Sequence, residues 1–205
     1  MQKLTDKNLK RDEKIKAVAL ELFLQRGYEA THLKDIIKIS GGSFSNIYKS
    51  FESKEALFVE LIQDHCTSHF KDIENLIQDA KNKSLEEFLS SFGRAYMEIF
   101  FHPDSIGLVK VVFSQISNEK LGLVKWFESN QNKLSDSLVK DFLSKQKEEN
   151  ISQNASRLAN LFCIMLREPY FKRCVCLGEF PNKKEQIEHV DFIVQIFLKG
   201  LLSFH

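Results

Sequence analysis

Eight glycines and three prolines are all the turn punctuation available to a chain of 205 residues. Average usage would supply roughly 14 glycines and 10 prolines at that length. A sandwich or barrel breaks its chain every few residues and needs those punctuators. This chain points instead to an all-α fold of long helices. Its hydrophobic fraction is 43%, with 18 phenylalanines. That is enough for a sizeable core and excludes a globally disordered chain.

The formal net charge of +1 hides an uneven distribution. Residues 1–54 carry 11 Lys/Arg against 7 Asp/Glu, a balance of +4, whereas residues 55–205 carry 18 against 21, a balance of −3. A basic first quarter suits a polyanionic partner. The four cysteines, Cys66, Cys163, Cys174 and Cys176, form no C-x-x-C pair. Their spacing fits neither a zinc finger nor a disulfide scaffold, which predicts a reducing, cytoplasmic setting. The N-terminus has no apolar core of the kind a signal peptide needs, and no stretch approaches 18 apolar residues. Neither a leader nor a membrane partner is expected.

Apolar residues recur at helical spacing along the whole chain. Residues 12–26 carry Ile15, Val18, Ala19, Leu22 and Phe23 on one stripe, closed by Gly27. Thr31 is the expected N-cap of a short helix with Leu33, Ile36 and Ile37, and Gly41-Gly42 breaks that helix. Ser43 opens a second short segment, and Ser53 caps a long helix whose early Glu55 suits its dipole. Further helices are predicted from Ser84, from Pro103, over 119–147, over 152–167 and over 183–203, about nine in all.

Residues 31–51 hold the informative pattern. Two short helices joined by a glycine turn, in a basic segment after a longer helix, form a helix-turn-helix, whose second helix enters the major groove. Ile15, Ala19, Leu22-Phe23, Gly27-Tyr28, Thr31, Ile36, Gly41, Ser43, Tyr48, Phe51, Lys54-Glu55 and Leu57 follow one another at spacings that resemble the N-terminal DNA-binding pattern of the TetR family. The resemblance covers about 50 residues. It implies a three-helix DNA-binding domain at 1–53 and a larger helical domain for ligand binding and dimerisation at 54–205. It also implies a homodimeric, ligand-responsive repressor on palindromic operator DNA. Wording further along (FGRAYMEIF, LFCIMLREPY) is similar to members of that family that repress multidrug efflux. That similarity implies a bulky, amphipathic or aromatic inducer, such as a drug or bile salt.

The expected DNA-contacting residues are Thr31, Ser43, Phe44, Asn46, Tyr48, Lys49 and Lys54. Thr31 and Lys54 stand at helix N-termini, where backbone N–H groups can hold a phosphate. Tyr48 matches the family's phosphate or base contact. Asn46 can pair with adenine, and Lys49 can reach guanine or a phosphate. Three positions depart from the pattern: Gly42, where an apolar residue is usual, Ser45, where glycine is frequent, and Phe44, where a polar residue is usual. The tandem glycines predict that residues 43–49 are weakly helical until DNA orders them.

Aromatics cluster after residue 84. The expected ligand-lining set is Phe92, Tyr96, Phe100, Val112, Phe113, Trp126, Leu134, Ser135, Phe162, Cys163, Leu166, Arg167 and Phe171. A ring stripe at helical spacing equally describes a filled core, and the sequence leaves that alternative open. Arg167 is the candidate partner for an anionic ligand. His65 and His69 sit four apart on the long helix, but no third ligand is evident, and no metal, cofactor or catalytic site is expected. The competing functions are a helical protein-interaction module and a helical enzyme using the aromatic cluster as its pocket.

Overall fold

A computed structural model describes residues 2–41, 43–82, 84–130 and 134–202. Among these the chain is helical without a strand. Twelve α-helices follow one another: α1 Gln2–Ala30, α2 Leu33–Ser40, α3 Phe44–Phe51, α4 Lys54–Leu76, α5 Leu85–Phe100, α6 Pro103–Ser114, α7 Leu123–Ser129, α8 Asp136–Leu143, α9 Glu149–Gln153, α10 Ala155–Arg167, α11 Tyr170–Lys172 and α12 Lys183–Leu202. No helix among the described residues is long and apolar enough to cross a membrane.

The count exceeds the nine expected because one predicted helix is divided and two short helices, α9 and α11, form largely outside the predicted ranges. The stretch 119–147 breaks at Gly122, which adopts φ 58°, and a 3-10 turn at Glu119–Leu121 precedes it. The stretch after Glu148 divides into α9 and α10 at Asn154. In the other direction α1 starts at Gln2, ten residues before the first expected turn. Its opening residues are mostly good helix formers that have no apolar stripe to announce them.

Helix ends follow their cap chemistry. The Ala56 N–H donates to Ser53 Oγ at 3.1 Å, in the first turn of α4. At the start of α5 the Glu87 N–H donates to Ser84 Oγ at 3.3 Å and the Ser84 N–H donates back to Glu87 Oε2 at 3.0 Å. This reciprocal box satisfies two donors that a helix start otherwise leaves open. Gly27 (φ 77°, ψ 172°) and Gly41 (φ 76°, ψ 142°) take conformations open essentially to glycine, and they interrupt α1 and end α2.

The helices pack as two compact units. The first comprises residues 1–65 and 107–129, the second 66–106 and 130–205. Neither is continuous in sequence, since α4 and α6 each contribute to both. The first unit is built on Phe23, Tyr28 and Phe58, whose ring centroids lie 5.0–5.6 Å apart. Around them Ile15, Ala19, Leu22, Ile36, Ile47 and Leu57 are buried at 3% exposure or less. In the second unit α5 crosses α12 so closely that a β-carbon on Gly93 would stand 2.7 Å from Val190 Cγ1. His189 of α12 reaches the Met165 and Leu166 carbonyls at the end of α10.

Candidate nucleic-acid interface

The helix-turn-helix is held by its own apolar spine. On α2, Ile36 is fully buried, and on α3, Ile47 and Phe51 are buried. The opposite face of α3 presents Phe44, Ser45, Tyr48 and Lys49 to solvent. Positions 44, 45, 48 and 49 share one face because residues four apart stack along a helix. α3 forms a helix from Phe44 to Phe51. Burial of Ile47 and Phe51 fixes the segment within the first unit.

Two further ties hold α3 and α4 onto α1. Ser50 Oγ donates to the Asp12 carboxylate at 3.0 Å and accepts from Arg11 at 3.3 Å. Lys16 bridges the Glu60 and Asp64 carboxylates of α4, the latter at 2.7 Å. Burial alone would lower the Lys16 pKa, but the two carboxylates outweigh it and raise the ammonium above its ordinary value.

Thr31 does not cap α2. Its hydroxyl donates inward, to the Gly27 carbonyl at 2.8 Å and the Leu22 carbonyl at 3.1 Å, and the residue is fully buried. The N-cap is His32, with extended backbone and no side-chain cap bond. Thr31 therefore serves the broken end of α1, where Gly27 interrupts the carbonyl ladder, and its side chain is withdrawn from any phosphate. Lys54 is also less free than its charge suggests. Its ammonium lies 4.0 Å from the centroid of the Tyr28 ring, a cation–π contact at the start of α4. Burial lowers its pKa, against the raising effect of Glu29 and Glu55. Burial in turn pushes the Tyr28 hydroxyl well above its ordinary range.

Ser43, Phe44, Tyr48 and Lys49 are exposed as a DNA-contacting set requires. The side chain of Asn46 lies outside the described residues. Phe44 and Tyr48, with His32, Leu33 and Lys34 from α2, line an open groove of about 320 Å³. Sequence reasoning missed the last three. Leu33 reads as a core residue, and His32 and Lys34 become visible only once the start of α2 is placed one residue later.

The aromatic cluster forms in the second unit. Phe88, Phe92, Tyr96 and Phe100 stack in succession along α5, with centroids 5.3–6.4 Å apart. Phe142 lies flat on Phe88 at 3.7 Å, Phe162 meets Phe92 at 6.2 Å, and Phe171 meets Phe100 at 6.1 Å. The Arg167 guanidinium sits 5.9 Å from the Phe100 centroid. Leu166 and Cys163 are buried beside this ladder, and Leu134 and Ser135 stand partly exposed before α8. Burial raises the Tyr96 and Cys163 pKa values far above their ordinary range, with Asp136 raising and Arg167 lowering both. Val112, Phe113 and Trp126 belong to the first unit, where Val112 is buried, Phe113 is exposed and Trp126 meets Phe127 edge-on. His69 faces the Ser105 hydroxyl at 3.4 Å. Among the described residues no cluster of three His, Cys, Asp or Glu side chains is arranged to hold a metal.

Comparison with known families completes this picture. Residues 15–61 match the model of bacterial regulatory proteins of the tetR family, and residues 87–200 match the C-terminal domain of AefR-like transcriptional repressors. The chain belongs to the tetR family. It is a transcriptional regulator by family, not an enzyme, which removes the enzymatic alternative. Over 55 residues it is 47% identical to the transcriptional regulator QacR of Staphylococcus aureus, covering 27% of this chain and 28% of that one. It is 31% identical to the Escherichia coli transcriptional repressor ComR over 87 residues, which is 41% of that protein. The chain thus spans less than half the length of these two relatives. At 23% identity it aligns over 91% of its length with 98% of IcaR, a negative regulator of the icaADBC biofilm operon in Staphylococcus aureus. Among solved structures, a TetR-family regulator from Mesorhizobium loti superposes with a TM-score of 0.81 at 20% identity, covering 94% of this chain and 97% of that one. The flavonoid-responsive regulator FrrA superposes with a TM-score of 0.70 at 23% identity, covering 93% and 96%. These two likenesses establish the fold.

Proposed function

We propose that this tetR-family chain is a ligand-responsive repressor that binds a palindromic operator as a homodimer. Residues 1–53 bind DNA in this scheme, and 54–205 bind the inducer and the second subunit. The observation that carries the proposal is the exposed face of α3 beside the start of α2. It presents Tyr48, Lys49, Lys34 and Phe44 outward from a buried Ile36–Ile47 spine. A face with hydroxyl, ammonium and apolar groups on an eight-residue helix suits the major groove.

The dimer is supported by apolar side chains left exposed on α10 and α12: Leu161, Ile164, Ile187, Phe192 and Ile196. Apolar stripes of this kind on two long helices mark an association surface. Two recognition helices must then sit about 34–36 Å apart to enter successive major grooves. An inducer that binds only a conformer with another separation draws the population off DNA.

The inducer proposed is a bulky amphipathic molecule of drug or bile-salt type, and the controlled genes an efflux operon. Support comes from the aromatic ladder ending at Arg167, and from wording in α5 and α10 that resembles the multidrug-efflux repressor CmeR. Footprinting of the DNA upstream of its own and neighbouring genes, with and without bile salts, tests the whole scheme. Protection of an inverted repeat that bile salt abolishes is the expected result. Absence of protection even at low salt, where phosphate contacts are strongest, refutes it.

A further inference from the structure

The residue that departs most from a polar DNA-reading face is Phe44. It is the first residue of α3 and is 50% exposed, although a buried position for a ring lies further along the same helix at Phe51. Its surroundings are mixed. Leu33 and Tyr48 extend the apolar wall of the groove, and Lys34 and His32 rim it. The N-terminal residues of a recognition helix meet base edges, while flanking cations meet phosphates. Of the four bases only thymine shows a methyl group in the major groove, and an apolar side chain is the partner for it.

Resting on the repressor proposal above, we propose that Phe44 is a specificity residue that packs on a thymine C5-methyl in each operator half-site. The lysines explain why duplex DNA is the partner: the α2–α3 segment offers Lys34, Lys38 and Lys49 against a single acid, Asp35. That imbalance suits the phosphate backbone of a duplex. The ring needs no ordering beyond its own two torsions, so little entropy opposes the contact. Phe44 discriminates by what it leaves uncovered, since a C·G or A·T pair of the wrong orientation offers it no methyl.

The test pairs a side-chain deletion with a methyl deletion. The probe is a palindromic duplex chosen by the full-length protein from a randomised pool, labelled for fluorescence anisotropy at one fixed salt concentration. Each thymine is replaced in turn, in both half-sites, by deoxyuridine, which lacks only the methyl. Wild-type protein is expected to lose about fourfold in affinity per half-site at one symmetric position, the worth of one buried methylene. Phe44→Ala should bind the unmodified duplex more weakly and be indifferent to deoxyuridine at that position. Phe44→Leu should retain part of the sensitivity. Because Phe44 is half exposed, both variants should melt like the wild type. An equal loss for Phe44→Ala on thymine and deoxyuridine duplexes at every position overturns the proposal, and so does unchanged binding. If the wild type enriches no duplex at all, the repressor proposal falls and this one with it.

Discussion

Replacing Thr31 by valine separates a structural role from a DNA-contacting one. Valine keeps the shape and removes only the hydroxyl, which donates to Gly27 O at 2.8 Å and Leu22 O at 3.1 Å. Each such bond contributes about 1 kcal/mol net, and a buried carbonyl left short of a donor costs about 1–3 kcal/mol. The Gly27 carbonyl lies at the interruption of α1, so it is the one that the lost hydroxyl exposes most. The sum expected is roughly 2–3 kcal/mol, with the valine methyl in an otherwise fitting cavity. For a chain of this size that lowers Tm by about 5–10 °C. Circular dichroism during urea and thermal unfolding reads the effect, and Thr31→Ser, which keeps the donor, should show less than half of it. Measured well below the transition, the affinity of Thr31→Val for DNA should change by no more than about twofold. Unchanged stability together with a tenfold loss in DNA affinity would refute the inward hydroxyl and return Thr31 to the phosphate.

Other consequences are as direct. Gly93→Ala adds a β-carbon 2.7 Å from Val190 Cγ1, and overpacking of about 1–3 kcal/mol should exceed the 0.5–1 kcal/mol of helix propensity gained, so urea midpoints should fall. Glu55 is held below its ordinary pKa of 4.5 by its own backbone N–H first, then by Ser53, Tyr28 and Lys54, against burial. Its contribution is therefore present above pH 4.5 and lost as pH falls through the depressed folded value. Glu55→Gln should destabilise at pH 7 by no more than about 1 kcal/mol, and the difference should vanish in acid; a constant difference at all pH values would contradict the carboxylate's role. Native alkylation at pH 8 followed by mass spectrometry should label exposed Cys176 first. Cys66, pushed up to about 11 by burial, should lag, and buried Cys163 and Cys174 should react only on unfolding.

Local chemistry made part of the fold legible in the sequence. Scarce glycines made Gly27 and Gly41 visible as breaks, and Ser84 was legible as a helix start. Ile36 is readable as a spine residue because helical spacing places it opposite Lys34 and Lys38, whereas the burial of Ile47 emerges only from the structure. What escaped depends on tertiary packing. Thr31 and His32 are adjacent, and only backbone geometry decides that the poorer capping residue takes the N-cap while the better one turns inward. Gly122 lies in a stretch whose apolar spacing runs on through it, so its left-handed turn divides a helix that periodicity joins. The grouping of Gly107–Ser129 with the N-terminal residues escapes any linear boundary, because it arises from contacts such as Gly107 against Leu24 at a projected 2.9 Å. The aromatic surplus was plain in composition, but its arrangement as a stacked ladder along α5 follows from four rings spaced four apart that all face inward.

In the proposed function this protein reads a DNA sequence through α3. Selection of duplexes from a fully randomised pool by the full-length protein, followed by sequencing, tests it with no operator sequence assumed. Enrichment of one inverted repeat is expected, with half-site centres one helical turn or a multiple of it apart, about 10–10.5 base pairs per turn. Tyr48→Ala and Lys49→Ala should weaken or abolish that enrichment. Recovery of an unenriched pool over repeated rounds at low salt would contradict it.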